Sequence, residues 1–159
     1  MERGQTTTDY AVGASIFLLV VVGVFAFLPS VFAPFSLDGG ASMVVADRTA
    51  NALAGSALAA DATRPTRANA TCTEGFFDGD GAVPAGCNYD ADAADLHSAL
   101  GLDDRRSVNV TVTGQAGVAS LNGTVLRTGP PVPERGDVVA ASRLLLLDGS
   151  QHTLTVRVF

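Results

Sequence analysis

Three hydrophobic patterns divide the chain. From Tyr10 to Leu37 apolar residues follow one another with no charged position, and the core of that run is Ala11 to Leu28. An α-helix rises about 1.5 Å per residue, so roughly 20 apolar residues cross the hydrocarbon of a bilayer. The run is bounded by Asp9 and Asp38 and predicts one spanning helix. The alternative is a core helix of a soluble domain, but such helices seldom stay uncharged for so long. Pro29 and Pro34 each remove a backbone donor and are expected to kink or end the helix. Asp38-Gly39-Gly40 is expected to break the chain.

The second pattern has a helical period. Between Ser42 and Ala60, Met43, Ala46, Ala50, Leu53 and Ala57 form an apolar stripe, with Asp47, Arg48 and Asn51 mostly off it. Asp61 to Thr71 is polar, holds Pro65 and reads as a loop. Asp90 to Leu100 reads as a short helix, with Asp90, Asp92 and Asp95 near its positive end and Gly101 as its stop. His97 on it is expected at the surface. The third pattern has period two. Val108, Val110 and Val112 alternate with Asn109, Thr111 and Thr113. Ala116 to Leu121 and Thr124 to Thr128 flank Asn122-Gly123, a strong hairpin signal. Gly129-Pro130-Pro131-Val132-Pro133 is a stiff connection. Val138 to Leu147 reads as a buried strand, Asp148-Gly149 as a second hairpin turn, and His152, Leu154, Val156 and Val158 as one face of the last strand. The expected fold class is α+β: an N-terminal transmembrane helix, then a small domain of helices and an antiparallel sheet of about five strands.

Composition sharpens this picture. The 159 residues suffice for the helix and one domain of about 120 residues. The net charge is −6, there is no Lys, and Asp outnumbers Glu 13 to 3. That balance excludes the basic stripe a nucleic-acid binder needs. Cys72 and Cys87 are the two cysteines, and in a chain exported past a membrane they suggest one disulfide. Half a zinc site is the alternative, but the two His and their spacing supply no second pair. No nucleophile elbow, Walker loop, dinucleotide fingerprint or zinc-protease motif is present, so neither an enzyme nor a cofactor is expected. Asp78-Gly79-Asp80-Gly81 is like part of a calcium loop, but it lacks a third oxygen ligand and a distal Glu. A turn-rich acidic loop, anchored by Phe76 and Phe77, is the expectation, and no metal. Asn69-Ala70-Thr71, Asn109-Val110-Thr111 and Asn122-Gly123-Thr124 are N-glycosylation sequons, each expected at an exposed position.

The first nine residues add a resemblance. A secretory signal would place a small-residue cleavage site after the apolar run; Ala33 could serve, but the run exceeds the usual length. Arg3-Gly4, then Gln5, Thr7 and an acid at Asp9, abutting the apolar run, resembles the class III signal of archaeal type IV pilins and pilin-like proteins. In that family a prepilin peptidase cuts before the helix, which stays on the mature protein. Asp9 stands where the family usually has Glu. The resemblance implies a leader at 1–4 cut between Gly4 and Gln5, an assembly helix at 5–37 with Asp9 as an assembly contact, and an extracytoplasmic domain at 38–159. It implies the membrane, a prepilin peptidase and other pilin-like subunits as partners. The expected function is a minor pilin or pseudopilin of a surface filament or envelope machine, N-terminus in the cytoplasm and domain outside the cell. The alternative is a single-span protein that displays a binding domain without assembling. The acidic, Lys-free composition also resembles that of proteins from salt-loving archaea; a GC-rich genome would produce a similar bias.

Overall fold

The computed structural model describes residues 3–32, 37–61, 63–64, 66–103 and 105–159. The chain divides into two compact units, Met1–Leu37 and Asp38–Phe159. The first contains one long helix, α1 (Arg3–Phe32), which runs through Pro29 rather than ending there. The missing N–H of Pro29 falls in the last turn of α1, where a lost bond disturbs least. Pro34 lies outside the described residues.

All but the first residue of the next helix, α2 (Leu37–Ala52), belongs to the second unit. The break expected at Asp38-Gly39-Gly40 does not occur. Two glycines in a helix cost about 1 kcal/mol each relative to Ala. The burial of Ala46, Ala50 and Leu53, each at most 1% exposed, holds the helix together. Met43, expected on that stripe, is 63% exposed, because the stripe begins to face the core only from Val45 onward. A π-helical turn (Leu53–Ala57) then ends the helix, with Leu58 N–H donating to the Leu53 carbonyl at 2.9 Å, short of the expected end at Ala60.

The next two helices are short. The segment read as loop up to Thr71 and beyond contains α3 (Ala70–Phe77), capped by Asn69, whose Oδ1 accepts from Cys72 N–H at 3.2 Å. A 3-10 turn (Ala93–Asp95) leads into α4 (Leu96–Leu100), with Gly101 in the left-handed region as its stop.

Among the described residues seven strands follow. They are β1 (Val108–Gly114), β2 (Gly117–Val118), β3 (Ser120–Leu121), β4 (Thr124–Val125), β5 (Arg127–Thr128), β6 (Val139–Leu147) and β7 (Ser150–Val158). The main sheet is antiparallel and five-stranded, in the order β2-β1-β7-β6, with β5 also paired to β1; β3 and β4 form a separate hairpin. Both turns predicted from sequence are present, with Asn122 and Asp148 each at φ 49°. Val108, Val110, Val112, Leu154, Val156 and Val158 line one face, packed with α2 and Phe76 into the core. Burial of each such side chain stabilises the fold by about 1.5–3 kcal/mol.

Two features of the sheet differ from the pattern expected. Strand β6 alternates rather than being buried throughout: Leu145 and Leu147 are buried, while Leu144 is 58% and Leu146 42% exposed. The other feature is the crossing of 129–138 from β5, beside β1, to β6, beyond β7. It crosses on the face opposite α2, where Asn109 Nδ2 donates to the Pro130 carbonyl at 3.0 Å. That polar face is therefore partly covered.

Gly75 marks the tightest approach in α3. A Cβ there would stand 2.8 Å from Pro84 Cδ and 3.3 Å from the Tyr89 hydroxyl. Gly75→Ala is expected to destabilise the domain by about 1–3 kcal/mol through overpacking, read as a lower midpoint in thermal unfolding followed by circular dichroism. An unchanged midpoint would show that the loop yields.

Candidate functional site

Two regions carry the candidate residues. The first is α1. Its segment Thr7–Pro29 has mean hydropathy 2.7 and none of it is buried within the structure. Phe17, Leu19, Phe25 and Phe27 are each more than 60% exposed. The polar groups it does carry are few, and Ser15 Oγ donates to the Ala11 carbonyl at 2.7 Å, so that hydroxyl is satisfied within the helix, as hydrocarbon requires. Gly4 and Gln5 fall in the first turns of α1, and Asp9 lies inside the helix with its side chain exposed.

The second region is the loop after α3. The Cys72 and Cys87 Sγ atoms are 2.08 Å apart and their Cα atoms 5.4 Å apart, inside the range a disulfide requires. A closure of 15 residues stabilises by about 3 kcal/mol in the chain-entropy model. Cys72 sits on α3 rather than in a loop, so the bridge fastens the loop to a helix. Tyr89 fastens it again: its hydroxyl donates to the Cys72 carbonyl at 3.0 Å, and its ring meets Phe76 edge-on at 5.5 Å. Phe76 and Phe77 are buried, as expected of anchors. Asn88 Nδ2 donates to Ser56 Oγ and ties the loop to the π-helical turn.

Three carboxylates meet on this loop. Oxygens of Asp78, Asp80 and Asp92 lie within 4.8 Å of one another. The sequence pattern offered the first two and missed Asp92, which is buried and arrives from the segment before α4. Each carboxylate also holds a turn. Asp92 accepts from Gly81 N–H at 2.8 Å and Ala94 N–H at 2.9 Å; Asp78 accepts from Asp80 N–H, and Asp80 from Ala82 N–H. Three oxygens are half or fewer of the six to eight that calcium takes.

Burial, and then the charges of Asp78, Asp92 and Asp80, push the Tyr89 hydroxyl up to about 12 from 10.0. The folded state thus favours the protonated form. Its contribution is fully present below pH 10.0 and is lost as pH rises through about 12. Tyr89→Phe is expected to flatten the fall in melting temperature over that interval; an alkaline limb unchanged by the substitution would assign the loss elsewhere.

The sequons fare differently. Asn122 is exposed at the β3–β4 turn, where its Nδ2 donates to Glu74 Oε2 on α3 at 2.8 Å. Asn69 is half-buried and caps α3. Asn109 is not at an exposed position: it is 4% exposed, its Nδ2 spent on Pro130 and its Oδ1 accepting from Thr111 Oγ1. The crossing connection 129–138 causes this, and the two-residue period could not reveal it. Asn69, Cys72 and Asn122 gather around α3, while Asn109 stands apart. His97, expected at the surface, is half-buried, with Nε2 2.9 Å from the Arg106 carbonyl and so carrying the donated proton.

The fold and these sites define an α+β protein with one N-terminal helix long and apolar enough to span a membrane. The chain belongs to a family of unknown function, DUF7287, whose model matches residues 1–159. No curated protein and no solved structure matches it.

Proposed function

We propose that this chain is a membrane-anchored pilin-like subunit, a minor pilin or pseudopilin of a surface filament or envelope machine. The observation that carries the reading is α1: a continuous helix whose apolar side chains are left exposed, with Arg3-Gly4 and Gln5 at its start, ahead of the apolar run. Uncovered apolar surface of this extent needs lipid or other apolar helices around it. A helix retained after cleavage at Gly4 serves both: it anchors the subunit in the bilayer and then packs among neighbouring helices in an assembly. Arg3 precedes the span and the next basic residue is Arg48, so the positive-inside rule favours a cytoplasmic N-terminus and an external domain. The disulfide and the exposed Asn122 sequon suit that compartment.

Asp9 is the residue that separates assembly from simple anchoring. At the centre of a span an Asp costs about 2.5–3.5 kcal/mol, and less near the end, where Asp9 lies. Cleavage after Gly4 would leave an α-amino group about one helical turn from Asp9. In a bundle, the carboxylate of one subunit would pair with the α-amino group of another. Asp9→Asn should leave insertion and cleavage intact and remove the protein from filaments or from a crosslinked complex. Normal assembly of the cleaved variant would show that the carboxylate is no assembly contact, and assembly of neither form would favour an anchored protein that displays its domain singly.

A further inference from the structure

The long free edge of the sheet carries an inference independent of the pilin reading. On the other side of the sheet the outer strands, β2 and β5, are two residues each. The opposite edge is β6, nine residues long, with no Pro and no bulge in its register with β7. The two-residue turn Asp148-Gly149 pairs Leu147 with Ser150. In that register Val139, Ala141, Arg143, Leu145 and Leu147 direct their N–H and C=O groups to β7, and Ala140, Ser142, Leu144 and Leu146 direct theirs outward. The outward position of Leu146 is taken: its N–H donates to the Thr66 carbonyl at 2.7 Å and its carbonyl accepts from Ala68 N–H at 2.8 Å. Among the described residues, Ala140 and Leu144 have no outward backbone partner.

Ser142, the midpoint of this edge, is different. Its carbonyl accepts from Nη1 of the adjacent Arg143 at 2.8 Å. The same guanidinium donates from Nε to Asn51 Oδ1 at 2.7 Å and from Nη2 to Asp47 Oδ1 at 2.5 Å, both on α2. Arg143 therefore stands where an incoming strand would bond, and α2 keeps it there. Charged side chains are a usual protection of long edges.

We propose that the Ala140–Leu144 edge of β6 is a pairing surface for a second copy of this chain, latched by Arg143. The self-match is what identifies the occupant. Antiparallel pairing about Ser142 sets Ser142 against its own copy and Ala140 against Leu144 of the other. No like charges face one another, a small side chain meets a large one, and both residues of that pair are exposed in the single chain. About six backbone hydrogen bonds would form. Swinging Arg143 away from the Ser142 carbonyl opens the edge.

Disulfide trapping in native membranes, on the full chain, tests this. In a facing hydrogen-bonded pair the Cα atoms are about 5.5 Å apart, within the reach of a disulfide. Ser142→Cys alone should give little crosslinked dimer. Adding Arg143→Gln should raise it about tenfold, the factor that one lost hydrogen bond carries. Asp47→Asn, which loosens the guanidinium without touching β6, should raise it in the same direction and serves if the Arg143 variant does not fold, with formation of the Cys72–Cys87 bridge as the folding readout. Ala140→Cys should not crosslink to its own copy, because the register places the two about 13 Å apart. The proposal is overturned if neither release raises Ser142→Cys dimer, or if Ala140→Cys crosslinks as well.

Discussion

Apolar surface left exposed along one helix is the constraint on which the rest depends. Along Thr7–Pro29 no side chain is buried within the structure, and from Tyr10 onward no charge interrupts the run. Water cannot hold such a helix alone, whereas a bilayer satisfies it because every backbone group is bonded inside the helix. A chain anchored this way has to complete a stable fold with the residues after Asp38, a small domain by any measure.

That domain is small enough to need fastening. Its core is one layer of α2 and α3 against one face of the sheet, and the acidic loop would otherwise be tethered at its ends alone. The Cys72–Cys87 bridge, the Tyr89 hydroxyl and the packing of Phe76 hold the loop against α3. The carboxylates of Asp78, Asp80 and Asp92 then accept the turn N–H groups that water would otherwise satisfy. On the far side Arg143 joins α2 to the edge of β6. The apolar helix and the domain thus answer different physical demands, one for an apolar surrounding and one for enough internal constraint.

What could be read from sequence was what local geometry dictates. Asn122-Gly123 and Asp148-Gly149 announced their turns because a left-handed backbone needs such residues, and β7 showed a clean alternation. The run Leu144 to Leu147 could not, since four identical apolar residues carry no alternation; the pleat of β6 turns Leu145 and Leu147 into the core and leaves Leu144 and Leu146 on the exposed face. Helix α3 hid inside a polar stretch, although Asn69 as its cap was a usable signal. The third carboxylate, the burial of Asn109 and the grip on Arg143 all arise from segments distant in sequence. The glycines at 39 and 40 misled because propensity was set against packing, and packing decided.

The most direct measurement is the mass of the N-terminal peptide of the mature protein, purified from the membranes of its own cells. Retention of α1 as anchor and assembly helix requires a chain that begins at Gln5, with Met1 to Gly4 absent. A chain that keeps Met1, or one that begins after Ala33 and so has lost the apolar helix, would contradict the pilin-like account.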